Sequence, residues 1–168
     1  MSWGTGGWAS EPGGQFSPMF GTMIVREGAG YDLPVVADVY SPLTNYDYAR
    51  AAHNVGCDPV LGQLEFPDAG LYALKALVTY VPTGNVDVDV HLALYNVATS
   101  TLGFGTVARY EKGLEGDQIV LIVAGEIDTG TYDIRMTCSV SLTFAILTAS
   151  LFIAKFALPG SIGYRHGE

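Results

Sequence analysis

Three histidines, two cysteines and a scatter of carboxylates are the residues of this chain that can do chemistry, and their spacing gives little to work with. His91 stands two and four positions after Asp89 and Asp87 in an alternating stretch, so all three project from one strand face, with neighbours about 7 Å apart. Such a set can orient a general base or touch a hard cation. Two carboxylates without a third oxygen ligand make a poor cation cage, however, so the preferred reading is a water-exposed strand face and no metal is expected. His53 falls in a polar connection and His166 in the tail, both read as solvated or interfacial.

The remaining chemistry is as sparse. Cys57 and Cys138 match no paired metal-ligand spacing and leave open either one bridge or two packed thiols, with Cys138 read as a small core residue among apolar neighbours. Phosphate-binding glycine loops, Gly-x-Ser-x-Gly elbows and His-Glu-x-x-His helices are missing from the sequence. No nucleophile, base and orienting group can be assembled, so no catalytic residue and no cofactor is assigned and the expected role is non-enzymatic. Tyr46, Tyr48, Tyr80, Tyr95, Tyr110 and Tyr132 suit a sugar-binding surface or any protein interface, where an apolar ring with a polar tip is useful.

Composition bounds the partners. The formal charge is -9, from 8 Lys plus Arg against 17 Asp plus Glu, and it is spread along the chain. Such a surface repels nucleic acid and anionic lipid. Only 15% of residues are charged while 49% are hydrophobic, which is lean for a free monomer and points to apolar surface covered by another subunit. The segment Met1 to Trp8 has neither a basic region nor an apolar run of the secretory kind, so synthesis and retention in a cytoplasm are expected.

The elements that must position these groups read as strands. The uncharged run from Met136 to Ala154 is long enough to span a bilayer as a helix. Its alternation argues for a strand: Thr137, Ser139, Ser141 and Thr143 interleave with Met136, Cys138, Val140, Leu142 and Phe144. No membrane association is therefore expected. Strands are predicted at 33–40, 62–66, 71–81, 86–97, 102–110, 118–124, 132–142 and 147–158, with no clear turn between the last two. Eight to ten strands in an antiparallel, all-β jelly-roll sandwich fit this spacing.

Glycines and prolines crowd the first thirty residues, which predicts an irregular N-terminal arm over 1–30, a jelly-roll domain over 31–158 and a C-terminal tail over 159–168. The arm carries Trp3, Trp8, Phe16, Met19, Phe20 and Met23, large apolar groups that are costly to leave in water. They are expected to lie either on a neighbouring chain or folded back on their own domain.

Three stretches carry a resemblance. Phe66-Pro67-Asp68-Ala69-Gly70-Leu71-Tyr72 leads into a long apolar strand, Gly113 to Leu121 contains a leucine, a Gly-Asp turn and a strand, and Ser150 to Phe156 closes the domain with an aromatic-apolar strand. In this order they resemble the trimeric jelly rolls of the tumour necrosis factor and complement globular head superfamily. The resemblance implies a tight homotrimer, with Tyr72 at the motif tyrosine and Tyr80, Phe152 and Phe156 expected at the trimer interface. Similar jelly rolls occur as capsid decoration (cement) proteins on tailed phages. The expectation is therefore a virion protein on the outer capsid surface, made in the host cytoplasm, that bridges copies of the major capsid protein through the arm. The alternative is a receptor-binding or adhesive head that presents loops such as Gly84-Asn85 and Glu126 to Gly130 to a host protein or glycan.

Overall fold

The computed structural model describes residues 19–52 and 56–157. Among them the chain is all β, with twelve strands and no helix. In order these are β1 (Met19–Val25), β2 (Tyr31–Val35), β3 (Ser41–Pro42), β4 (Tyr48–Ala52), β5 (Gly56–Asp58), β6 (Gln63–Phe66), β7 (Gly70–Pro82), β8 (Val88–Asn96), β9 (Thr101–Tyr110), β10 (Asp117–Ile127), β11 (Gly130–Cys138) and β12 (Leu142–Ala157). The strand count exceeds the expected eight to ten because four strands fall in stretches read as loops: β1, β3, β4 and β5.

Two antiparallel sheets face each other. Sheet A runs β10-β7-β12-β1-β4 with β2 also on β12, and sheet B runs β5-β6-β11-β8-β9 with β3 also on β11. From β7 onward the chain visits A, B, B, A, B, A, so it crosses between the sheets repeatedly and β8–β9 is the only consecutive pair of these strands within one sheet. This is the two-sheet jelly-roll solution, as expected.

Period-two alternation builds the core between the sheets. The even residues of β7 and β8 point inward, with Tyr72, Leu74, Ala76, Val78 and Tyr80 meeting Val88, Val90, Leu92 and Leu94, all at most 2% exposed. In β12 the inward set switches from Phe144 and Ile146 to Ala149, Leu151 and Ile153, because a register shift against β7 at Ile146/Thr148 inserts one residue. That irregularity lets a sixteen-residue strand keep its apolar side on the core throughout.

The uncharged run from Met136 to Ala154 is thus the end of β11, a short turn and most of β12. Strand β11 stops at Cys138, four residues earlier than the predicted 132–142 element. There the Cys138 thiol donates to the Val140 carbonyl at 3.0 Å, and Ser141 Oγ accepts from the Ala37 N–H at 2.9 Å. The hydroxyl alternation reads straight through this turn, which is why no boundary was visible. Among the described residues no helix is long and apolar enough to cross a membrane.

The largest departure concerns the arm. Residues 19–25 are not irregular: β1 lies between β12 and β4, with Thr22 opposite both Phe152 and Arg50. Glycine-rich flanks hid a short alternation in which Met23 and Val25 face the core at 0% and 1% exposure. Gly62 marks the other tight place. Its φ of +68° lies in the left-handed region, and a Cβ there would sit 1.9 Å from the Leu43 carbonyl oxygen.

Candidate self-association surface

The outward face of sheet A sets several exposed apolar side chains in register. Strand register stacks it in three cross-strand rows. The first is Val120, Leu77, Ser150, Ile24 and Tyr48, and the second is Ile122, Lys75, Phe152, Thr22 and Arg50. The third is Ala124, Ala73, Ala154 and Phe20. Ile122 is 71% exposed and Phe152 48%, and Val120 and Tyr48 are also exposed. Exposed apolar area gathered in this way marks an interaction surface.

Charge sharpens the point. No aspartate or glutamate stands in any of the three rows, although acidic residues outnumber basic ones about two to one in the chain. Lys75 and Arg50 are the only charged residues in them. A face free of carboxylates lacks the like-charge repulsion that so acidic a chain presents elsewhere.

The expected interface residues divide across the sheet. Phe152 stands on this face. Tyr72 and Tyr80 do not: both are 0% exposed and lie between the two sheets, because even positions of β7 face the sandwich. Tyr72 packs edge-on against Phe66 with centroids 4.8 Å apart, and its hydroxyl donates to the Asp68 carbonyl at 2.6 Å. Burial, with the nearby Asp68 charge, pushes its phenol up to about 12. Tyr80 packs against Phe144 and Tyr110, and its hydroxyl has no hydrogen-bond partner. The contribution of β7 to the outer face comes instead from Ala73, Lys75 and Leu77. The side chain of Phe156 lies outside the described residues.

The arm residues divide likewise. Trp3, Trp8 and Phe16 lie outside the described residues, as does the side chain of Met19, whose backbone begins β1. Phe20 is half-buried on the third row of the outer face, while Met23 is sealed in the core and unavailable for contact with another protein. Met19 pairs with Lys155, so the start of β1 and the end of β12 stand at one end of sheet A.

Some groups were not anticipated. Lys155 is a core-facing lysine whose side chain is 1% exposed, with its ammonium 3.7 Å from Asp68 and 5.8 Å from the Tyr72 ring centre. No sequence signal separates it from Ala154 and Phe156 except strand parity after the β12 irregularity. On the outer face of sheet B, Asp133 is 2% exposed and takes both Nε and Nη2 of Arg135, at 2.7 and 3.0 Å. The same guanidinium carbon lies 3.5 Å from the Tyr95 ring centre.

The histidine face behaves as a solvated surface. Asp89 accepts from Arg109 at 3.0 Å, Asp87 accepts from the Lys112 N–H at 2.8 Å, and His91 is exposed. Among the described residues no three His, Cys, Asp or Glu side chains are grouped to hold a metal ion. Cys57 and Cys138 are both free thiols, and burial raises the pKa of each.

Comparison with known proteins now bears on the architecture. The solved structure of Eiger TNF from S. frugiperda superposes with a TM-score of 0.58 over 88% of this chain and 98% of that chain, at 10% identity. The fold is a tumour necrosis factor-like jelly roll. No family model matches the chain, and no curated protein does. At such identity the likeness is one of fold alone, so the surface has to speak for the function.

Proposed function

We propose that this chain is a non-enzymatic structural protein that assembles as a homotrimer through the outer face of sheet A and decorates the outside of a capsid. The observation that carries the reading is the carboxylate-free apolar face centred on Phe152, on a chain whose net charge is -9. Three acidic protomers repel one another unless the shared surface lacks negative charge and removes apolar area from water. The likeness to a tumour necrosis factor fold supports a trimer as the closed arrangement.

The capsid part of the proposal rests on residues 1–18, where Trp3, Trp8 and Phe16 supply anchors for the major capsid protein. The start of β1 and the end of β12 share one end of sheet A, so in a three-fold assembly those strand ends stand at equivalent places. The test is a deletion that stops before β1. Removing residues 1–18 should leave a soluble trimer and abolish attachment to capsids, whereas removing residues through Ile24 would take out a sheet strand and unfold the domain. Undiminished capsid attachment by the shorter deletion would overturn this part.

A receptor-binding head is the second reading, and a cleft lined by Glu126, Ile127 and Asp128, where β10 leads into β11, favours it. Direct binding to host cells that is lost on substitution of these residues would support that reading over the first.

A further inference from the structure

Beyond the assembly surface, the side of the sandwich where edge strand β9 of sheet B meets edge strand β10 of sheet A holds a cleft of about 370 Å³. Leu94, Phe104, Ile127 and Tyr132 wall it, and Glu126 and Asp128 border it. No residue of the three sheet A rows lines it. Such a volume with an apolar wall and a few converging polar groups is the form of a side-chain or small-ligand site.

The aromatic wall is open to water. Phe104 is 43% exposed. Below it Gly125 brings the β10 backbone close: a Cβ there would lie 3.3 Å from Phe104 Cζ. The far rim is held in shape by Asn96, whose Oδ1 accepts from the N–H groups of Ala98 and Thr99 at 3.0 and 3.1 Å. Glu126 and Asp128 are exposed, and neither forms an ion pair among the described residues.

An aromatic face beside carboxylates selects for a planar cation. The same molecule contains that arrangement complete: the Arg135 guanidinium lies on Tyr95 while Asp133 takes it through two nitrogens. Arginine fits such a site better than lysine, because its flat group stacks on a ring and offers a fork to a carboxylate at once. We infer that the Phe104 cleft receives an arginine side chain of a partner protein, with the guanidinium on the ring and its charge met by Glu126 and Asp128.

The experiment uses the full chain and N-acetyl-arginine amide as probe, followed by amide-proton NMR at Gly103, Gly105, Gly125 and Asp128. The expected result is a saturable shift confined to these resonances. N-acetyl-citrulline amide, which has the same shape without the charge, should bind at least about tenfold more weakly. Phe104→Leu and the Glu126→Gln/Asp128→Asn double variant alter exposed side chains, so the fold stays intact, and each should weaken the arginine probe about tenfold. Equal binding of the citrulline and arginine probes, insensitivity to both variants, or no shift at millimolar probe would overturn the inference. A neutral hexose that shifts the same resonances more strongly would overturn it as well. None of these results touches the assembly reading, whose rows lie elsewhere.

Discussion

Phe152 stands directly opposite Lys75 in the β7–β12 pairing, and the two side chains share the middle of the outer face of sheet A. One is a large ring 48% exposed, and the other is an exposed cation. The next residue along the strand, Leu151, is 0% exposed on the opposite face. Adjacent positions therefore carry opposite duties.

Replacing them should separate assembly from folding. Phe152→Glu is expected to change protomer stability by no more than about 1 kcal/mol while breaking association, because it puts three negative charges into an apolar contact. Leu151→Ala is expected to cost about 2 to 5 kcal/mol of stability through a core cavity and to leave the surviving folded protein associated. Denaturant melts read beside sedimentation will show whether the two effects part in this way.

The two buried tyrosines of β7 should respond differently to loss of a hydroxyl. Tyr72→Phe removes a 2.6 Å bond to the Asp68 carbonyl and is expected to cost about 1 kcal/mol. Tyr80→Phe removes a hydroxyl without a partner and should be neutral or stabilising. Thermal denaturation of both variants at one protein concentration checks the order.

Strand parity explains how much of this was legible. Long strands announced themselves: β7 to β10 were found to within a few residues, β7 as a nearly unbroken apolar run and β8 because Val88, Val90, Leu92 and Leu94 recur at every second position. Short strands did not. The two residues of β3 and three of β5 exist only because β11 and β6 are there to pair with them, so their signal is tertiary rather than local. The jelly roll could be read from spacing, but the face on which each aromatic side chain stands could not. A motif tyrosine suggests a contact by resemblance, whereas the side it faces depends on where the alternation starts, and in β12 the phase changes within the strand. Phe152 stands on the outer face, whereas Tyr72 and Tyr80 face the core, for that reason.

Alkali should weaken the fold through its phenols. Burial raises the pKa of Tyr31, Tyr46, Tyr72 and Tyr80, with Tyr72 at about 12. A raised folded pKa means that the contribution is fully present below the unfolded value near 10 and is lost as pH climbs toward the folded value. Stability should fall between about pH 10 and pH 12, with phenolate absorbance of these residues appearing only on unfolding. Full reversible ionisation of all tyrosines near pH 10 in the folded protein would contradict this.

Ion pairs should rank by burial. Asp133 is 2% exposed beneath Arg135, so Asp133→Ala strands a half-buried guanidinium and is expected to cost about 3 to 5 kcal/mol. The Arg109 and Asp89 side chains are 56% and 53% exposed, and Asp89→Ala should cost no more than about 1 kcal/mol. Paired urea titrations of the two variants measure the gap.

The mass of the assembled protein tests the central claim most directly. At micromolar concentration the full chain should give a native mass of three 17.8 kDa protomers, and Phe152→Glu should reduce it to one without loss of the β-sheet spectrum. A folded wild-type chain that sediments as a single 17.8 kDa species at that concentration would contradict the account.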